Sequence, residues 1–298
     1  MTEADRADPA TEVFVAHRDL LFTLAYEILG SAADAEDVLQ ETWLRWAGVD
    51  LDAVRDRRAH LVRITTRQAL GRLRALARRK ESYVGPRLPE PLLTAPDVAE
   101  QVEPVENMSM AMMLVLETLG PTERAVFVLR EVFGVGYEEI AEAVDKTPAA
   151  VRRIAHRARA HVAARRPRAA AGPDETRAAL DAFRRAIETG DTRGLFDLLT
   201  PDVVALSDGG GIRRAMPHPT VGADKVARLL VAGAAVWGPV ATLEPTHVNG
   251  HPALVVRVDG EVDLVVALRI EGGLVTGVYS VRNPEKLTRM ERETGVSL

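Results

Sequence analysis

The chain has 298 residues, 47% hydrophobic and 27% charged, an ordinary globular composition with length for about two domains. It contains no cysteine, which excludes disulfides, thiolate metal sites and thiol redox chemistry. Net charge is −5, with 24 basic against 26 acidic residues up to position 168 and 14 against 17 after it, so a polyanionic partner would have to be recognised by local segregation of charge. The acidic N-terminus has no apolar core and no stretch approaches the ~20 apolar residues of a membrane span, so a cytoplasmic protein without membrane contact is expected.

After a start to about Pro9 that reads as disordered, Phe14, Leu21, Leu24, Ala25 and Ile28 form a helical stripe ended by Gly30. Ser31 and Asp34 then open a capping-box pattern leading into a helix that reaches Trp46. Val38, Leu39, Thr42, Trp43 and Trp46 would face inward and leave Asp37, Gln40, Glu41 and Leu44 on one outer face. That face suits a protein partner, although acids in a first turn also arise to complement the helix dipole. In the next helix Leu61, Val62, Thr65, Ala69, Leu73 and Leu76 mark the buried side, with Arg63, Arg67, Arg72, Arg74, Arg78 and Arg79 around the rest. Between Arg55 and Lys80 there are ten basic residues and one acid, Asp56, the charge pattern of a surface for nucleic-acid phosphates.

Prolines at 86, 89, 91, 96 and 104 deny the next segment a long helix and make it a semi-extended connector. Beyond it, Gly120 to Arg168 reads as a helix-turn-helix. Pro121 opens a helix with apolar Ala125, Val128, Leu129 and Val132, ended by Phe133, Gly134 and Gly136. A short helix from Tyr137 buries Ile140, Ala141 and Val144. Thr147 then caps a third helix beginning with Pro148. There Val151, Ile154, Ala155, Ala158 and Val162 form the core stripe, and Arg152, Arg153, His156 and Arg157 point outward. Seven arginines and no acid lie from Arg152 to Arg168. Residues at the helix start, Thr147, Ala149, Arg152 and Arg153 among them, would reach base edges, and later arginines would meet phosphates.

A second hinge, Arg165 to Asp174, precedes helices near 175–188 and 192–199, a strand at Val203 to Leu206, and a helix at Ala223 to Trp237. Four β-rich runs follow, separated by Asn249-Gly250, Asp259-Gly260 and Gly272-Gly273 as hairpin turns. Helices followed by a meander point to an α+β layer with helices on one curved antiparallel sheet. Asp208, His218, His247 and His251 are conceivable acid/base groups, but no fixed spacing joins them, and no nucleophile, metal set or cofactor motif is apparent. The chain is read as a non-enzyme.

The Asp-Ala-Glu-Asp helix with Trp43 and Trp46, the basic helix, the proline-rich connector, and Pro121-Thr122-Glu123-Arg124 leading into the helix-turn-helix resemble, in that order, a bacterial extracytoplasmic-function sigma factor. Three further stretches are similar to signatures of the subgroup with a SnoaL-like C-terminal extension: Arg87-Leu88-Pro89-Glu90-Pro91, Asp208-Gly209-Gly210-Gly211-Ile212 and Asn283-Pro284-Glu285-Lys286-Leu287. Arg87 stands where that subgroup has tryptophan, and Ile212 where it has lysine. The resemblance implies a multidomain chain. All-α region 2 would span 10–83, the connector 84–107, all-α region 4 108–168, and an α+β SnoaL-like cone 175–298.

It also implies that Asp37, Gln40, Glu41 and Leu44 meet the β′ clamp helices of RNA polymerase. Region 4 would dock on the β flap. The arginines of 63–79 would face the promoter −10 element, and Thr147, Ala149, Arg152, Arg153, His156 and Arg157 the −35 element. Leu88 to Pro91, Asp208 to Gly211, Asn283, Pro284, Lys286 and Leu287 would regulate the molecule in cis, with a small-molecule ligand of the extension as a further partner. A ligand-sensing helix-turn-helix repressor, and an isomerase joined to a DNA-binding part, are the alternatives.

Overall fold

The computed structural model describes residues 8–79, 85–94, 109–164 and 172–290; the expected disordered start, the later connector prolines and most of the second hinge lie outside them. The chain divides into two compact units, whose described residues are 8–79 with 115–164, and 85–94 with 109–114 and 172–290.

The first unit begins with three packed helices, α1 (Pro9–Leu29), α2 (Ala32–Trp46) and α3 (Arg57–Arg79). Ser31 caps α2 by accepting from the Asp34 amide at 3.2 Å, so one of the orphan donors of the first turn is satisfied. Leu21, Leu24, Ala25 and Ile28 meet Val38, Leu39 and Trp46 and the Leu61, Val62, Thr65 and Ala69 stripe, all buried. Trp46 donates its indole N–H to the Ala10 carbonyl at 2.8 Å, the partner a buried indole needs. Trp43 is only half-buried, tilted against Phe14 with centroids 5.3 Å apart, and Leu73 and Leu76 are half-buried too.

Helix α4 (Met110–Leu116) leads to the helix-turn-helix, formed by α5 (Pro121–Phe127), α6 (Tyr137–Val144) and α7 (Pro148–Ala163). The first of these was expected to run regularly to Val132. Instead Val128–Val132 is a π turn, in which the Phe133 amide bonds the Val128 carbonyl at 3.2 Å. Thr147 accepts from the Ala150 amide at 3.2 Å, and Val151, Ile154, Ala155, Ala158 and Val162 are all buried.

The second unit carries α8 (Pro173–Thr189), α9 (Thr192–Leu198), β1 (Leu199–Asp208), β2 (Thr220–Val221), α10 (Ala223–Trp237), β3 (Ala241–Val248), β4 (His251–Val258), β5 (Glu261–Glu271), β6 (Leu274–Val281) and α11 (Pro284–Leu287). The sheet order is β2-β1-β6-β5-β4-β3. The three predicted turns have both central residues at positive φ, Asn249 at 53° and Gly250 at 73°, Asp259 at 53° and Gly260 at 85°, Gly272 at 55° and Gly273 at 74°, the conformation that matches strand twist.

Two expectations are corrected. The sheet is mixed, since β1 runs parallel to β6: the chain leaves β1 by way of α10 and returns beside it only after three hairpin steps, a crossover that permits parallel pairing. The first strand also starts at Leu199, four residues before the expected Val203. An irregularity in its pairing with β6 between Leu199 and Val204 hides the alternation there.

Both faces of the sheet are buried. Leu254, Val256, Leu264, Val266, Leu268 and Val278 pack with Phe183, Ile187, Leu195 and Val226 from the helices. The alternate residues Ala253, Val255, Val265, Ala267, Tyr279 and Val281 meet Leu88, Met110, Ala111, Leu287 and Met290. Strand periodicity thus directs one set to the helices and the other to the connector. Among the described residues no helix is long and apolar enough to cross a membrane.

Candidate functional site: basic helices and a docked connector

On α2, Asp37, Gln40, Glu41 and Leu44 share an exposed face at helical spacing. Leu44 is 74% exposed, an apolar side chain left uncovered by the described residues. Asp37 accepts from Arg72 at 3.0 Å, and the same guanidinium donates to Asp34 at 2.7 Å. Arg72 is therefore turned toward the acids of α2, and these partners hold its pKa up.

Arg63 and Arg67 lie one turn apart on α3. Arg63 donates to the Glu142 carboxylate at 3.0 Å, Arg67 to the Glu142 backbone carbonyl at 2.8 Å, and Arg74 to Thr122 Oγ1 at 3.3 Å. Arg78 and Arg79 close the helix, with side chains outside the described set. On α7, Ala149, Arg152, Arg153, His156 and Arg157 are exposed. Arg152 bonds Glu138 at 2.8 Å, and Arg157 pairs with Glu123 at 3.5 Å. Tyr137 was not singled out by sequence, yet Arg130 stands 4.6 Å and Arg152 5.4 Å from its ring centroid.

A second unforeseen pair is internal. Glu27 is fully buried among apolar residues of α1, and neither carboxylate oxygen has a hydrogen bond among the described residues. Arg124, itself buried, donates to the Glu27 backbone carbonyl at 2.9 and 3.1 Å. Burial pushes the Glu27 carboxyl up to about 8, with the nearby guanidinium opposing the rise.

In the second unit the three signature stretches come together at one buried carboxylate. Asp208 Oδ2 accepts from the Leu88 amide at 2.9 Å and from Lys286 Nζ at 2.7 Å, and Lys286 also donates to the Leu88 carbonyl. Asp208 Oδ1 accepts from the Gly210 amide at 2.9 Å. A side chain at Gly210, where φ is +63°, would overlap the Asn283 carboxamide, and one at Gly209 the Arg213 carbonyl. Asn283 in turn caps α11 by accepting from the Glu285 amide at 3.1 Å. There Pro284 fills the first turn and Leu287 packs under the connector. Pro89, Glu90 and Pro91 are buried, and Arg289 lies 3.8 Å from the Glu90 carboxylate. Gly211 and Ile212 project from the turn into solvent.

Asn249, read only as a turn residue, is also a receptor for the connector. Its side-chain oxygen accepts from the Leu92 amide at 2.8 Å, and its own amide donates to the Leu92 carbonyl at 2.9 Å. Thr94 Oγ1 accepts from the Gly250 amide at 2.9 Å, and Leu93 forms an antiparallel bridge with Val248.

The groups considered for chemistry do not assemble. Asp208 is saturated by amides and Lys286, His218 is exposed, and the pKa of His247 is lowered by burial and Arg177. Among the described residues no group of three or more His, Cys, Asp or Glu could hold a metal ion.

Known families fit this arrangement. Sigma-70 region 2 matches residues 13–79 and Sigma-70 region 4 residues 109–162. The ECF RNA polymerase sigma factor SigJ of Mycobacterium tuberculosis is 34% identical over 288 residues, 92% of each chain. "Probable ECF RNA polymerase sigma factor SigI" of the same species is 30% identical over 97% of this chain and 98% of its own. The crystal structure of the M. tuberculosis extracytoplasmic function sigma factor SigJ superposes with TM-score 0.75 at 31% identity, covering 93% of this chain and 98% of that one. A repressor is not favoured by these likenesses. The chain belongs to the extracytoplasmic-function RNA polymerase sigma factors, with a C-terminal α+β extension that it shares with SigJ, and directs transcription initiation at promoters.

Proposed function

We propose that the exposed α2 face around Leu44 docks on the β′ clamp helices of core polymerase and the helix-turn-helix on the β flap. In that assembly α3 takes the −10 strand and the start of α7 reads the −35 duplex. Capture of an unstacked base needs a basic, aromatic-flanked surface and no reacting group, in keeping with a family that performs no bond chemistry. The C-terminal domain acts in cis by holding the connector. The observation that carries this is the Asp208 carboxylate, which binds the connector backbone at Leu88 and the Lys286 ammonium together. A connector held through a charged buried pair has two discrete states, docked and released, and any ligand or partner that distinguishes them shifts the balance. A groove of about 410 Å³ lined by Ile187, Glu188, Trp237, Thr242 and Leu243 is the place for a small ligand with both polar and apolar groups.

Run-off transcription with purified core polymerase tests the assignment. Leu44→Asp is expected to abolish promoter-specific product through loss of core binding, while Arg153→Ala keeps core binding and weakens promoter choice. Full product from Leu44→Asp would refute the polymerase-facing role of α2.

A further inference from the structure

We propose that the loop between β1 and β2, residues 209–219, is a further nucleic-acid contact: Arg213 and Arg214 hold backbone phosphates of promoter DNA beside the −10 element, and Ile212 is an apolar wedge against a base. The inference rests on the reading of α3 as the −10-facing helix and adds to it a contact made by the C-terminal domain.

From Gly209 to Gly222 the chain carries two arginines, one histidine and no acid. Residues 211–214 and 216–219 are exposed, Ile212 at 57% and Met216 at 38%. The carboxylate that precedes the loop, Asp208, is taken up by the Leu88 and Gly210 amides and by Lys286, so it does not neutralise the two guanidiniums. Neither Arg213 nor Arg214 has an ion pair or a side-chain hydrogen bond among the described residues. Arg177, Arg184, Arg228, Arg257, Arg269 and Arg282 of the same unit all pair with carboxylates. The charge of the loop is therefore left for a polyanion.

The loop is built to display these residues. The Ile212 and Arg213 amides both donate to the Gly209 carbonyl, at 3.0 and 2.9 Å, and any side chain at Gly209 would collide with the Arg213 carbonyl. A turn fixed in this way lowers the cost of ordering the loop on binding. Further along, the Met216–Pro217 backbone lies against Gly85 of the connector. Only six residues of chain lead from Arg79, the end of α3, to Gly85, a tether of about 20 Å when fully extended. Apolar side chains set beside arginines are what proteins use to enter a base step while gripping the adjoining phosphates. An acidic protein surface would use the two charges and leave Ile212 without a role.

The experiment uses holoenzyme assembled from the full chain and core polymerase on end-labelled promoter DNA. Ile212 is replaced by the photoreactive p-benzoylphenylalanine, and Val236, 78% exposed on α10, is replaced likewise as a control. The expected result is a DNA cross-link from position 212 and none from 236. A cross-link from 212 to polymerase subunits alone, or to nothing, would overturn the proposal. Independently, the double change Arg213→Ala with Arg214→Ala is expected to weaken promoter binding at least threefold and to reduce the slope of log affinity against log salt by about one to two. Hydrogen-exchange protection at the Leu88 amide is expected to stay as in the parent, which separates loss of a DNA contact from release of the connector. Arg185→Ala with Arg193→Ala removes the same charge from exposed positions of the same domain and is expected to change neither affinity nor slope. Parent-like affinity and slope in the first pair, or an equal loss in the second, would refute the assignment. Promoter-specific run-off product is measured in the same reactions: its absence with the parent chain would overturn the sigma-factor reading, whereas product without a DNA cross-link at 212 overturns this inference alone.

Discussion

Glu27 and Asp208 are both removed from water, but among the described residues only the Asp208 carboxylate has hydrogen-bond partners. The Glu27 carboxyl, raised to about 8 and without a hydrogen bond among the described residues, is a proton-binding group of the folded state. Between the ordinary carboxylate range and pH 8 the unfolded chain loses this proton while the folded chain keeps it, so stability falls as pH rises through that window. Glu27→Gln is expected to flatten this dependence and to gain about 1–3 kcal/mol at pH 8, measured by urea unfolding at pH 6 and 8. Asp208 is the opposite case. Asp208→Asn leaves the Lys286 ammonium without its counter-ion and should cost about 2–4 kcal/mol, with loss of hydrogen-exchange protection at the Leu88 amide; full protection would show that the connector is held elsewhere. Neither role could be read from local sequence. The nearest partner of Glu27 is 97 residues away, and the Asp208 contact to Leu88 spans 120. Asp-Gly-Gly-Gly alone announces only a turn.

Elements were more legible, because their causes are local. Thr147 followed by Pro148 specifies the start of α7, and Thr147→Ala is expected to cost about 1 kcal/mol in thermal unfolding. Arg152→Ala and Arg153→Ala should each lose about 1–3 kcal/mol of discrimination between −35 sequences at matched salt. Equal affinity for cognate and scrambled duplex in the parent would mean that α7 faces elsewhere. Asn249-Gly250 and Asp259-Gly260 placed their hairpins correctly since positive φ is a property of those residues. The parallel partner of β1 was not legible: pairing across some seventy residues leaves no trace in either strand's own alternation. The π turn at Val128–Val132 keeps Val128 and Leu129 buried, and an apolar count alone does not separate it from an α turn.

At the scale of the whole molecule, family and domain order were readable because several motifs occurred in sequence, and the resemblance pointed to Leu88 to Pro91 as regulatory, while the atoms that hold the connector were not readable. Its prolines suggested a spacer. In the structure Leu88 and Leu93 cover or extend a sheet whose outward residues would otherwise face water. The C-terminal domain is completed by the connector that separates the two sigma regions, so on the proposed reading the domain's integrity and the connector's position are one equilibrium. Cutting the chain after Val281 removes Lys286 and Leu287 and leaves Asp208 without its cation. The most direct test is quantitative run-off transcription by core polymerase with the parent chain and with residues 1–281, on a promoter from the organism's own genome. Promoter-specific product that depends on the parent chain and changes at least severalfold on truncation is the predicted result. Equal product from both chains would contradict control through the connector, and none from either would contradict the account altogether.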